Sequence, residues 1–492
     1  MLEAGDGLAL QPLEGGAFRI AWGEPDWVGP IALRVEHGGD VYMSPGATER
    51  PGARALSPRV QDFEGEDGLG RYRGHALAWS ELPLPLLTTV RAYKSLPVLV
   101  FRIEALSELS ELTTGAFERT SVAWPALMVE SFFGVRGLRE APGRAHAWQE
   151  GLDRAAGEYG LTLQWCMGTP ADWLQTVTLN NITSVRTSGD YRYLFDNGLN
   201  WVWFLHGNAF ARALGLHPYK DVFLTHGETG LGPGEKYVEA ESLLASLSAG
   251  PVGIGDRLGH TDREIVLRSC RPDGVLVKPD VPIAACDRCF RESAFFEKAP
   301  LVGETYSLHP AGRWRYVVSL NAGRAKEPMD FRVELADLGM ARPEGAVILY
   351  DWRRRAWTRL DADGGWDVQL QFQDFDYRVV CPLLPGGITL FGDVSKWATV
   401  GDQRIAQIEA VAGELCFDLL GAPLERVEVR GWSARAPGGA TAWCPGGRRV
   451  LPIRSGEPAG EEGIAHDRET GFFVLAARLG REGRSRIRVS LP

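Results

Sequence analysis

No basic run longer than the three arginines at 353–355 occurs in the chain, and the net charge of −10 is spread along it. A protein without a basic face has little to set against a phosphate backbone, so nucleic acid is not expected as a partner. Long apolar runs are also missing. The most apolar stretch, WVWFLHGNAFARALGL, is broken by His206, Asn208 and Arg212, which argues against a membrane span. The opening residues, MLEAGDGLAL, lack a basic segment followed by an apolar core, so no signal peptide is expected. Cysteine is scarce, with seven residues, an odd number, thinly scattered. That usage suits reduced thiols in a cytoplasm better than a disulfide framework. The single C-x-x-C, Cys286 to Cys289, has no second pair and no histidine at ligand spacing. A structural zinc needs four ligands, so neither a metal nor another cofactor is expected.

What is present is a soluble globular composition, 45% hydrophobic and 24% charged, over 492 residues. That length exceeds one ordinary core. The pattern along the chain expects a multidomain α/β plus β protein. Residues 1–126 read as a β-sandwich, because LLTTVRAYKSLPVLVFRIEAL is two β-branched runs around a turn and Gly and Pro punctuate the rest. Residues 127–290 alternate helices and short strands, the signature of a partial (β/α)8 barrel of TIM type. In RAHAWQEGLDRAAGEYG the spacing predicts a helix burying Trp148, Leu152, Ala155, Ala156 and Tyr159. Thr169 and Pro170 open a short helix, ITSVRTS and DVFLTH read as strands, and Leu243, Leu244 and Leu247 form the buried face of a later helix. PVGIGD reads as a further strand, and TDRE at 261–264 as a capping box. Residues 291–492 return to strict alternation, as in WDVQLQFQDF, RVEVRGW and RSRIRVSL, and predict a C-terminal antiparallel β-sandwich region.

In βα architectures chemistry gathers at the carboxyl ends of the strands. Four strand ends fall near Trp165 and Cys166, at Arg186 to Asp190, around Asp221, and at Asp256. Carboxylates, an arginine and an indole on one rim describe a sugar site, since sugars are held by hydrogen bonds and by stacking, and glycoside cleavage uses two carboxyl groups. Plainer readings stand beside this one: Ser188 or Asp190 caps a helix starting near Tyr191, Trp165 is core, Asp221 caps a turn, and Asp256 pairs with Arg257.

The order of segments over roughly 140–290 resembles the clan of retaining α-galactosidases that also holds plant raffinose synthases and seed-imbibition proteins. RTSGD, Arg186 to Asp190, matches the clan's Arg-x-x-x-Asp motif after the sixth barrel strand. HPYKDVFLTH is similar to its Pro-Asp-Trp-Asp-Met-Phe segment, with Asp221 at the second acidic position. LSAGPVGIGDRLG and PDGVLVKPDVPIAACDRCF resemble the stretches that close the barrel. The resemblance implies Asp190 as general acid/base, with Arg186, Asp221, Trp165 and Cys166 in the sugar pocket and an oligosaccharide or α-galactoside as substrate.

The clan's nucleophilic Asp ends its fourth strand, and no counterpart is found here. LMVESFFGVRGLREAPGRAHAW resembles the clan's segment just past that nucleophile, yet it joins almost directly to SVAWPA. A full barrel takes about 250 residues, so the first barrel strands are missing from the pattern. Glu130 is the carboxylate nearest the junction, a displaced nucleophile or a surface glutamate. Open parallel edges predict either tight self-association through the open barrel or a poorly stable chain. Two functions stand as expectations: an α-galactosidase-like glycosidase, or a non-catalytic carbohydrate-binding or assembly protein of the same descent.

Overall fold

The computed structural model describes the chain apart from residues 23, 38–39, 45–52, 83–84, 107–119, 128–141, 167, 192–197, 228–233, 293–299, 324, 339–344, 412, 459 and 492. It divides into two compact units, Met1–Leu152 and Asp153–Pro492. Glu130 lies outside the described residues. Among the described residues no helix is long and apolar enough to cross a membrane.

The first unit is built on two antiparallel sheets. Four strands, Arg59–Asp67, Gly70–Trp79, Leu86–Tyr93 and Leu99–Ala105, form a meander, and the long strand Glu24–His37 centres a seven-stranded sheet. In Leu86–Tyr93, Leu86, Thr88, Val90 and Ala92 are buried and alternate with half-buried residues, as period-two patterning requires. Leu10, Phe18, Leu33 and Val35 from one sheet share a cluster with Leu77, Trp79 and Val90 from the other, so the two sheets face one another as a sandwich.

In the second unit a three-stranded parallel sheet, Leu163–Trp165, Ile182–Arg186 and His217–Tyr219, alternates with helices Pro170–Gln175 and Gly198–Ala213. Register runs Gln164 to Ser184 to His217 and Trp165 to Val185 to Pro218. The helix at Thr169 opens as expected. The Thr169 hydroxyl accepts from the Asp172 amide at 3.4 Å while Asp172 takes the Thr169 amide at 2.7 Å, and Pro170 occupies the first turn. Helices Val238–Leu247 and Arg263–Ser269 follow, with Leu243, Leu244 and Leu247 fully buried.

Several expectations change on folding. The helix Pro142–Glu158 leaves Trp148 and Leu152 about two fifths exposed and Tyr159 more than half exposed, at 40%, 37% and 59%, and buries Asp153 instead. Asp153 accepts the Asn180 and Asn181 amides at 3.1 and 2.7 Å, so a charged residue locks the turn before Ile182. DVFLTH is not a strand, because the ladder ends at Tyr219. Only the isolated parallel bridge Phe223 to Ile254 continues it, which also replaces the strand expected at PVGIGD. In TDRE the cap is Asp262, accepting the Glu264 amide at 2.8 Å, rather than Thr261.

The remainder of this unit is antiparallel apart from one short parallel pair, Ile453–Arg454 with Gly463–His466. A six-stranded sheet includes Leu301–His309, Gly312–Leu320, Phe375–Pro382 and Val347–Asp351. Two five-stranded sheets follow, centred on Phe472–Arg478 flanked by Arg426–Ser433, and on Arg484–Ser490 flanked by Glu414–Leu420. One apolar cluster runs from Trp201 and Leu205 through Trp314 and Trp397 to Phe473 and Val489, binding the helices to these sheets.

Beside that cluster the buried Arg404 donates to Asp393 and Glu425, each at 2.7 Å, and to the Leu420 carbonyl at 2.9 Å. Burial opposes its charge, and the two carboxylates outweigh burial. Arg404→Leu strands two low-exposure carboxylates and is expected to destabilise this unit by about 3–5 kcal/mol, read as a lowered midpoint in urea unfolding.

Candidate active site

Arg186 ends the central parallel strand, and alternation along the sheet puts Cys166, Arg186 and Tyr219 on one face and Trp165 and Val185 on the other. The Arg186 side chain is only 8% exposed. A guanidinium so placed needs anionic partners, and it has two. One Nη donates to Asp190 Oδ1 at 2.8 Å and the other to Asp221 Oδ2 at 2.9 Å. Burial works against the Arg186 charge, but the Asp190 hydrogen bond and the Asp221 charge hold its pKa above the usual arginine value.

The loop after the strand is locked to Asp221 by further bonds. Asp221 Oδ2 accepts the Tyr191 amide at 2.9 Å, and the Asp221 amide donates to the Ser188 hydroxyl at 2.8 Å. The helix expected to begin near Tyr191 falls on residues 192–197, outside the described residues. Gly189 allows this turn to approach its neighbour, since a Cβ there would sit 2.7 Å from Asn200 Oδ1. Beneath the sheet, a Cβ on Gly250 would meet the Pro218 carbonyl oxygen at 2.0 Å, so that glycine lets the next helix end close under the strand. Thr187 Oγ1 donates to Asn208, whose amide donates to the Ile283 carbonyl at 2.9 Å, tying the loop to the core.

The sequence-level candidates therefore divide. Arg186, Asp190 and Asp221 meet at one point, with Asp190 the most accessible at 56% side-chain exposure and Asp221 at 24%. Cys166 lies on the same face. Its sulfur neighbours Tyr219, and burial together with that sulfur pushes the Tyr219 hydroxyl up to about 12. Trp165 is half-buried on the opposite face, packed on the cluster of Trp173, Val185 and Ala211. Asp256 accepts the Thr225 amide and hydroxyl at 2.8 and 2.6 Å, and among the described residues it forms no ion pair with Arg257. The Sγ atoms of Cys286 and Cys289 lie 3.9 Å apart and both residues are buried. Among the described residues no three His, Cys, Asp or Glu side chains gather as metal ligands.

A buried polar network behind Asp221 was not foreseen from the sequence. Lys220, 4% exposed, pairs with the fully buried Glu241, and Glu241 accepts from the Trp201 indole at 2.6 Å. The Tyr191 hydroxyl donates to Glu235 and accepts the Leu224 amide at 3.2 Å. Burial, reinforced by the Glu241 charge, raises the Glu235 carboxyl above its ordinary value of 4.5. The only linear signal is that Lys220 directly precedes Asp221. Glu241 sits in an apolar helix with nothing in the sequence to mark it as inward-facing.

No protein-family model matches the sequence, and no curated protein matches it. Among solved structures it is similar to α-galactosidase I from Mortierella vinacea, at 11% identity and a TM-score of 0.33, over 49% of this chain and 63% of that one. It is similar to a putative α-galactosidase from Bacteroides fragilis at 11% identity and a TM-score of 0.31, over 76% of this chain and 99% of that one. A putative α-N-acetylgalactosaminidase from Bacillus halodurans gives 10% identity and a TM-score of 0.22, over 43% and 61%. The chain thus spans less than two thirds of the Mortierella and Bacillus proteins. Likenesses this distant identify neither an activity nor a substrate for this chain.

Because the folded Glu235 holds its proton to higher pH than the unfolded chain does, its contribution to stability is present below about pH 4.5 and is lost as pH rises through the raised folded value. Glu235→Gln keeps an acceptor for Tyr191 and removes the titration. The variant is expected to lose this falling limb, whose slope for one group is at most about 1.4 kcal/mol per pH unit, in urea unfolding measured from pH 4 upward.

Proposed function

We propose that the chain is an α-galactosidase-like glycosidase acting on α-galactosides, with Asp190 as general acid/base. The observation that supports this best is the single guanidinium of Arg186 holding Asp190 and Asp221 together at the carboxyl edge of parallel strands. In this reading Asp190, the more exposed carboxyl, protonates the glycosidic oxygen as it leaves and afterwards takes a proton from the incoming acceptor. Arg186 orients Asp190, and Asp221 accepts from sugar hydroxyls through the lone pairs its backbone partners leave open. Cys166 lines the pocket beside Tyr219, whereas Trp165, packed on the opposite face, supports the sheet rather than the sugar. A retaining route needs a carboxylate nucleophile supplied from elsewhere than these residues, and whether water or a second sugar accepts the glycosyl group depends on pocket shape. Seven free cysteines fit a reducing compartment, and the cytoplasm is the proposed location.

A second reading, a non-catalytic carbohydrate-binding or assembly protein, is favoured by a different observation. Within 127–290 the described residues form one sheet of three parallel strands and one further parallel bridge, where a complete barrel has about eight strands.

Turnover of an aryl α-galactoside by the purified chain separates the two. The enzyme reading expects measurable hydrolysis that falls by about 10²-fold or more in kcat with Asp190→Asn. Absence of turnover, with galactose binding that disappears in Arg186→Ala, selects the binding reading. Self-association is the companion proposal, since the outer edge of Leu163–Trp165 is unpaired among the described residues and Leu161, Leu174 and Val177 are more than half exposed. Sedimentation is expected to show a species of twice the 53.9 kDa chain mass, and a monomer at all concentrations rejects it.

A further inference from the structure

A cavity of about 330 Å³ lies in the second unit, lined from the Val347–Asp351 strand on one side and from Arg426–Ser433, Gly463–His466 and Phe472–Arg478 on the other. None of its lining residues comes from the three-stranded parallel sheet that carries Arg186, and its size falls in the range of small-molecule sites, roughly 300–1,000 Å³. The apolar part of the wall is rigid. Phe472 packs edge-on against Phe391 at 5.6 Å, and Phe391 stacks on Tyr350 at 4.4 Å.

The polar groups in the lining are unevenly engaged. Asp467 is held by the Thr470 hydroxyl and the Glu469 amide, both at 2.8 Å. Glu457 accepts both Nη groups of Arg430 at 3.1 Å. Both lining carboxylates and one arginine are therefore matched by protein partners. Arg355, an exposed residue at the cavity rim, forms no ion pair among the described residues and is free to receive an anion. It also adopts φ of +53°, a region disfavoured for side-chain-bearing residues, in the turn that leads to Ala356–Leu360. Tyr350 is 1% exposed, and its hydroxyl has no hydrogen-bond partner among the described residues. Nε2 of His466 donates to the Ser433 carbonyl at 3.1 Å, which leaves Nδ1 as the second polar atom of the ring. That Nδ1 is buried and unpartnered. A buried polar atom left without a partner is costly, and a ligand that supplies the partner to His466 Nδ1 recovers that cost.

We propose that this cavity is a second binding site, for a small hydroxylated anion the size of one sugar acid or sugar phosphate. The oxyanion sits on the guanidinium of Arg355, a ligand hydroxyl donates to His466 Nδ1, Tyr350 donates to a ligand oxygen, and the carbon frame lies on Phe472 and Val474. The shared chemistry is an oxyanion on a polyol frame, whether carboxylate or phosphate.

Calorimetric titration of the full chain with glucuronate, glucose 6-phosphate and glucose tests this. At least one of the anions is expected to saturate the site, with glucose about tenfold weaker or more. The anion that binds more tightly identifies carboxylate or phosphate as the natural group. Arg355→Gly is the decisive variant, because glycine accepts the positive φ and the fold is retained, seen as an unchanged or higher melting temperature. It is expected to weaken the anion about tenfold or more, and Tyr350→Phe, which keeps the ring stack, several-fold. Failure of both anions to saturate, equal binding of glucose, or an Arg355→Gly variant that binds the anion like the parent chain overturns the proposal.

Discussion

A buried guanidinium sets the terms for the candidate site. Arg186 is on the central parallel strand with almost no exposure, and a cation there is tolerable only if its charge and its donors are met. Asp190, four residues on, and Asp221, thirty-five residues on, offset its charge and accept one Nη hydrogen bond each. That requirement closes the loop after one strand onto the end of the next, and the Tyr191 amide and Ser188 hydroxyl complete the join. Two carboxylates reach one point because a single cation draws both.

Behind this join lies a second layer of charge, with Lys220 on Glu241 and Tyr191 on Glu235. Buried polar groups stabilise little in themselves, yet they allow few alternative arrangements when every partner is engaged. Trp201 links this layer to the apolar cluster, its indole on Glu241 and its ring edge-on to Tyr237 at 5.7 Å. The geometry around Asp221 is thereby coupled to the packing of the antiparallel sheets, through a core that contains Trp201 and Trp397 alike.

Much of this was legible in the linear sequence, where one residue's environment is set by its near neighbours. The Thr169 cap, the strand Ile182–Arg186, the Leu243, Leu244 and Leu247 face and the alternation in Gly365–Leu370 all arise from local propensity and period. Less legible were places where a distant partner reverses a local preference. The helix Pro142–Glu158 offers an apolar stripe and buries Asp153 instead, because two amides near residue 180 need a carboxylate. DVFLTH has the composition of a strand, but the Asp221 amide bonds the Ser188 hydroxyl and Asp221 Oδ2 is held by Arg186, so the chain leaves the ladder at Tyr219.

By itself the sequence determined the order of β, α/β and β regions and the strand ends at which charged residues cluster, Arg186 and Asp190 among them. Only the tertiary structure decided that Asp221 joins them, that Trp165 turns to the opposite face, and that Lys220 and Glu241 are buried together. The physical reason is range. Capping and periodicity act over a few residues and are written in them, whereas the desolvation of a charge is resolved by whichever partner the completed fold brings near.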